Sequence, residues 1–222
     1  LAPSFKEFDG YYKMNPIRFK MFAYLDLLFN SIKVKLENNK LVIKSIQKED
    51  YDLLPVGDNL FRKRDRVKAS HVFYKNDNTP MVSDGLVSYE KVSSIYLGLM
   101  WLSLILGLLG IMIILFRGFY LLFQKQLFKH NQILTLPFLS IIGLLIPLPF
   151  LLNQSFLNLG DFTLANVLLA IVTGFLPLAM IFGSRKILQN KTLTIDTVGT
   201  LFILQWTLVL IYWGVFPFRL WH

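Results

Sequence analysis

From residue 95 to residue 116 the chain holds no charged side chain. At about 1.5 Å per residue a helix over this stretch is about 33 Å long, enough to cross a bilayer core of roughly 30 Å. Three later stretches, 133–152, 162–184 and 198–218, are also predominantly apolar and long enough to span, so the pattern predicts four transmembrane helices in all. Pro137, Pro147 and Pro149 in the second stretch and Pro177 in the third predict kinks or breaks, which neighbouring helices repair inside a bundle. Between the first two spans, 117–132 carries Phe119, Leu122, Phe123, Leu127 and Phe128 opposite Lys125, Lys129 and His130. Such an amphipathic stretch either prolongs the first helix or lies in the headgroup plane.

Before residue 94 the pattern changes. Pro16 opens a run with Ile17, Met21, Phe22, Leu25, Leu28 and Phe29 at spacings of three and four, one face of an amphipathic helix that Asn30 and Ser31 end. Residues 32–36 and 41–46 alternate or nearly so and are joined by Glu37-Asn38-Asn39-Lys40, a hairpin with turn-tolerant asparagines. Short strands are predicted at 5–14, with Gly10 before Tyr11 and Tyr12, and at 51–56, 59–62, 71–75 and 81–89, with turns at 55–58, 76–78 and Asp84-Gly85. The expected fold is therefore in two parts. Residues 1–93 form a small antiparallel β-sheet curled into a half-barrel around one helix, and 94–222 form an all-α four-helix transmembrane bundle. A domain of about 90 residues buries only a modest core, so partner surfaces matter to its stability.

Composition agrees with two parts. A hydrophobic share of 54% with mean hydropathy +0.50 exceeds that of an ordinary soluble domain, while 17% charged residues exceeds that of an all-membrane chain. Before Ser94 there are 16 Lys and Arg against 12 Asp and Glu, and after it 7 against 2, so +4 and +5 make up the net +9. The second surplus sits at helix ends. Arg117, Lys125 and Lys129 follow the first span, and Arg185, Lys186 and Lys191 follow the third, whereas 153–161 has no Lys or Arg. The positive-inside bias then puts these two loops in the cytoplasm and the β-rich domain and C-terminus on the extracytoplasmic side. Trp101, Tyr212, Trp213 and Trp221 fit aromatic anchors at that outer interface. With no cysteine there is no disulfide or thiol chemistry. A first residue Leu1, without methionine or leader, leads us to expect a piece of a longer protein.

Candidate chemistry is sparse. Ser45-Ile46-Gln47-Lys48 matches S-x-x-K, where a lysine one helical turn away activates a serine, and Tyr74-Lys75-Asn76 matches the companion Y-x-N. Ser45 ends a predicted strand rather than opening a helix, and no H-x-G or K-T-G follows, so the match reads as coincidence. The run Arg62-Lys63-Arg64-Asp65-Arg66-Val67-Lys68 fits a solvated turn, or else a contact with anionic headgroups or cell-surface phosphates. It lacks the interleaved aromatics of nucleic-acid binding. His71, His130 and His222 fall in separate regions and have no metal-ligand spacing. Ser103, Ser140, Asn166, Thr173, Gln205 and Thr207 are polar within the spans, but no span has an ionisable group in its middle. Helix-to-helix packing explains them better than a transport path, with Asn166 and Gln205 the two to test. No catalytic, cofactor-binding or metal residue is assigned.

A family resemblance rests on several short stretches in order. They are Phe8-Asp9-Gly10-Tyr11-Tyr12, a Phe/Leu-rich helix, Ile32-Lys33-Val34-Lys35, Lys40-Leu41-Val42-Ile43, Asn59-Leu60-Phe61-Arg62, Val72-Phe73-Tyr74-Lys75-Asn76-Asp77 and Tyr89-Glu90-Lys91-Val92. This order resembles the accessory domain that follows the catalytic domain in serine hydrolases of the class C beta-lactamase and penicillin-binding-protein-like superfamily. Some bacterial members carry a transmembrane bundle after it. The family's catalytic motifs lie in the upstream domain, so the resemblance implies a non-catalytic fragment. The parent would be a peptidase, esterase or beta-lactamase-like acyl hydrolase, and the partners the lipid bilayer and the upstream domain, not nucleic acid. The competing reading is an independent membrane sensor or small transporter with an external ligand-binding β domain. A third, hydrolysis through Ser45 and Lys48, predicts labelling by a penicillin or fluorophosphonate probe.

Overall fold

Alternation in the first part produces strands whose every second side chain points inward, and in the computed structural model these strands close on themselves. The structure describes residues 3–16, 22–37, 40–129, 133–158, 160–190 and 194–220. A 3₁₀ turn, Pro3–Phe8, precedes β1 (Gly10–Met14), α1 (Ala23–Phe29), β2 (Ile32–Glu37), β3 (Lys40–Ser45), β4 (Tyr51–Pro55), β5 (Leu60–Lys63), β6 (His71–Asn76), β7 (Thr79–Ser83) and β8 (Ser88–Val92). Each strand pairs antiparallel with the next, and β1 pairs with β8 through Tyr11–Val92 to Met14–Tyr89, so the eight strands form a closed up-and-down barrel.

This corrects the half-barrel expectation. The predicted strand 81–89 is two strands about the Asp84–Gly85 turn, and β8, the second of them, closes the sheet against β1. The predicted strand 5–14 is a 3₁₀ turn followed by β1. Nor does the sheet curl around the helix. The interior is filled by Tyr12, Ile32, Val34, Leu41, Ile43, Leu53, Phe61, Phe73, Val82 and Tyr89, joined by Phe8. That matches the room inside eight strands, which side chains alone can fill. Helix α1 instead packs against the start of α2, where the Tyr24 hydroxyl donates to the Met100 carbonyl at 3.0 Å and Phe29 meets Trp101 edge-on at 5.3 Å. Ile17 and Met21 of its predicted face lie outside the described residues, as do Asn38 and Asn39 of the first hairpin turn. Elsewhere the hairpin follows its expectation, with β2 and β3 in register from Ile32–Ser45 to Glu37–Lys40.

A single residue, Ser93, separates β8 from α2 (Ser94–Phe123). Then come α3 (Thr135–Gly143), α4 (Leu148–Leu152), α5 (Leu164–Asn190) and α6 (Ile195–Tyr212). The chain divides into two compact units, Leu1–Trp101 and Leu102–His222. Four stretches, Ser94–Phe123, Thr135–Leu152, Leu164–Arg185 and Ile195–Tyr212, are long and apolar enough to cross a membrane, which makes this a multi-pass membrane protein. Among the described residues five α-helices follow the barrel, not four, because the second span is broken. After Gly143 the backbone tightens into bonds three residues apart, Leu144 to Ile141, Leu145 to Ile142 and Ile146 to Gly143. Pro147 and Pro149 supply no N–H to continue the helix, so it restarts with Pro147 as its cap. Pro177 sits inside α5 without breaking it. The 117–132 stretch prolongs α2 as far as Phe123.

Candidate site at the open end of the barrel

The two ends of the barrel are built differently. Where β1 begins, Phe8 plugs the interior, stacked edge-on to Phe73 at 5.3 Å, which meets Phe61 in the same way at 5.1 Å. The plug is tied down by the Tyr12 hydroxyl donating to the Phe8 carbonyl at 2.8 Å, by the Lys91 ammonium donating to the Glu7 carbonyl, and by a 2.7 Å Lys75–Glu7 ion pair. Burial pushes the Tyr12 hydroxyl above its ordinary pKa, so it stays a donor.

The other end carries the loops 46–50, 64–70 and 84–87 and opens into a cavity of about 310 Å³. Its apolar lining includes Ile32, Ile43, Val82 and Leu86, and its polar lining includes Ser45, Lys48, Tyr51, His71 and Asp84. His71, 4% exposed, opens β6, so the first turn of that strand aims it inward. Its Nε2 lies 3.1 Å from the Tyr51 hydroxyl and its Nδ1 2.9 Å from Ser70 Oγ. Burial, then the nearby Lys63, lowers the His71 pKa to about 4, so the ring is neutral at pH 7. Burial, then Asp84, raises the Tyr51 pKa to about 12. Tyr51 therefore keeps its proton, and in these two contacts one nitrogen of the neutral ring donates while the other accepts. Lys63 Nζ stands 3.9 Å over the Tyr51 ring and helps hold it. A neutral imidazole capped on both nitrogens is a fixed dipole rather than a base in waiting.

Ser45 and Lys48 both line this cavity, yet they do not form a serine–lysine pair of the helical kind. Ser45 ends β3, its Oγ accepts the Gln47 backbone N–H at 3.3 Å, and Lys48 sits in the bend that follows. Tyr74 and Asn76 run toward the far end of β6, whose last residue pairs with Thr79 in the turn opposite the cavity. The four residues are not brought together. Among the described residues no group of three or more His, Asp or Glu could hold a metal ion. His130 and His222 lie outside the described residues, as do Lys191 and Trp221. His71 is the only histidine among the described residues. The signal for it was in the sequence, since an inward position at a strand start demands hydrogen-bond partners.

Several polar groups of the helical part bond to one another across helices or to nearby backbone. Gln205 on α6 accepts from Ser103 Oγ at 2.9 Å and donates to the Ser103 carbonyl at 3.0 Å. Asn166, buried at the start of α5, donates to the Asp161 carbonyl at 2.7 Å, which ties the preceding loop to the helix. One pair escaped the sequence reading. Arg117 belongs to α2 rather than to a loop, and its Nε meets Asp196 in the first turn of α6 at 2.8 Å, with a second bond of 3.3 Å. Comparison with protein families, curated proteins and solved structures finds no match for this chain.

Proposed function

We propose that the chain is the non-catalytic C-terminal part of a membrane-tethered serine hydrolase of the beta-lactamase and penicillin-binding-protein-like kind. The barrel docks an upstream catalytic domain, and the helices hold it at the outer face of the membrane. The observation that carries this reading is the junction: a closed barrel passes through Ser93 alone into an apolar helix of 30 residues. Such a join serves a module that works at a membrane surface. The outward orientation is supported by Lys125 and Lys129 after the first span and Arg185 and Lys186 after the third, against none in 153–161. Arg117 no longer counts among the loop charges, being paired within the helices. Four spans exceed what tethering requires, and nothing in the arrangement explains the surplus.

The test is the coding sequence upstream of Leu1. An S-x-x-K-bearing domain in the same frame is expected, and the full protein should then take a fluorophosphonate label that persists in Ser45→Ala. A start codon beside Leu1 overturns the reading. The cavity favours a second one, an independent membrane sensor or small transporter whose outer barrel binds a ligand. Its size suits a small molecule with an apolar body and a polar end toward Lys48.

A further inference from the structure

In an up-and-down barrel successive loops alternate between the two ends, so 46–50, 64–70 and 84–87 share the cavity end with the connection through α1. Each of these three loops thrusts an aliphatic side chain into the open. Ile46 is 64% exposed, Val67 92% and Leu86 88%. These are not loose ends of a core. Leu86 is held outward by a tight turn in which Asp84 Oδ1 accepts the N–H groups of Leu86 at 3.0 Å and Val87 at 2.7 Å, with Gly85 at φ +85°. The 64–70 loop is pinned by Arg62 Nη1 donating to the Arg66 carbonyl at 2.8 Å and by Ser70 against His71.

Around these tips lie cations without partners. Arg64, Arg66 and Lys68 make no ion pair among the described residues. From 62 to 68 there are five basic residues and one acid, Asp65. Glu49 and Asp50 share this end, so the charge is concentrated on one loop rather than spread over the rim. The opposite end contrasts in its tips: its β6–β7 turn is Asp77–Asn78 with no apolar residue, and its 56–59 loop has Val56 at 52% exposure beside Asp58, while its cations are dispersed, Lys75 paired with Glu7 and Lys40 opening β3 opposite Glu37.

The route of the chain supplies the third observation. β8 finishes at the plugged end, but the first two turns of α2 run back along the outer wall. A groove there is lined by Ser45, Ile46, Leu97 and Trp101, and Trp101 reaches Phe29 just before β2 begins. The barrel unit ends at Trp101, and from Leu102 to Phe116 the chain carries no charge. Within the barrel unit, α2 therefore runs from the plugged end toward the cavity end.

We propose that the cavity end of the barrel rests on the bilayer that α2 enters, with Ile46, Val67 and Leu86 set into the headgroup and acyl boundary and Arg64, Arg66 and Lys68 against anionic headgroups. The cavity then opens onto the headgroup layer rather than onto bulk water. This surface depends on the multi-pass character of the chain and not on whether a hydrolase domain precedes it.

The chain has no cysteine, so single-cysteine probes are clean. The full chain carrying Val67→Cys or Leu86→Cys, labelled with an environment-sensitive dye, is reconstituted into phosphatidylcholine vesicles with and without phosphatidylglycerol and with spin-labelled lipid as quencher. Asn78→Cys at the other end is the control. Blue-shifted emission and lipid quenching are expected at 67 and 86 but not at 78, stronger with phosphatidylglycerol and weaker at high salt. Each cation removed by Arg64→Gln, Arg66→Gln or Lys68→Gln should lower the docked-to-free ratio about five-fold in anionic vesicles. Quenching at 67 and 86 no greater than at 78, in both kinds of vesicle, overturns the proposal. Quenching indifferent to phosphatidylglycerol and salt overturns the role given to the three cations.

Discussion

The barrel and the helical part solve the same packing problem in opposite ways. Inside the barrel large side chains fill the space, with Phe8 and Phe61 each edge-on to Phe73 and Tyr12, Leu53 and Val82 in the same core. In the helical part the decisive residues are those with nothing to fill. A Cβ on Gly110 would stand 2.8 Å from the Gly199 carbonyl oxygen, and one on Gly118 would stand 2.0 Å from the Phe138 ring, so a backbone at the first and an aromatic ring at the second come close where a side chain is absent. The difference follows from the solvent. Water drives apolar bulk into the barrel, whereas lipid is as apolar as the helix surfaces, which leaves close approach and a few polar bonds to decide.

The contrast predicts opposite sensitivities. Phe73→Ala should be the costliest change, about 3–5 kcal/mol, because it removes both ring partners from a site with no exposure. Amide exchange would show faster opening of β5 to β7 with α5 and α6 still protected, and loss of protection in both regions together would break the comparison. Enlarging a residue should hurt the helices instead. Gly110→Leu is expected to cost about 3 kcal/mol, since the nearest obstacle is backbone, and amide exchange should rise in α2 and α6 while the strands keep their protection.

The smallest effect is pH-dependent and confined to the barrel. The folded-state pKa of His71 is depressed to about 4 against 6.5 for the free side chain. Between those values the unfolded chain takes up a proton that the folded barrel refuses. Stability is therefore full above pH 6.5 and falls as the pH drops toward 4, by about 2 kcal/mol between pH 6.5 and 5. Thermal unfolding of the barrel at the two pH values measures it. His71→Gln should flatten the dependence, and an unchanged slope in that variant would assign it to other groups.

Much of this fold was legible. The alternation of Ile32 to Leu36 and the Asp77–Asn78 turn, with φ of +46° and +65°, announce hairpins through their own backbone preferences. The apolar runs announce spans through length. Closure was not legible, because it depends on where a strand ends: 81–89 reads as one run unless Gly85 is allowed to cut it, and β8 then finds β1 across almost the whole domain. Asp196 was also hidden, since a carboxylate in the first turn of a helix already has a local reason to be there. Its partner Arg117 lies 79 residues away. Within the site, Ser45 and Lys48 attracted notice by spacing, while the cavity is organised by Tyr51 and His71, which no local motif connects.

Ser93 has a kinetic meaning. One residue reaches at most about 3.6 Å, so the barrel has no leash on which to wander from the start of α2. A partner anchored in the same bilayer meets it by lateral diffusion, at an effective concentration fixed by surface density rather than by volume. Lengthening that joint with glycine and serine would keep the barrel at the membrane but widen the volume it searches, lowering its effective concentration at any neighbouring site.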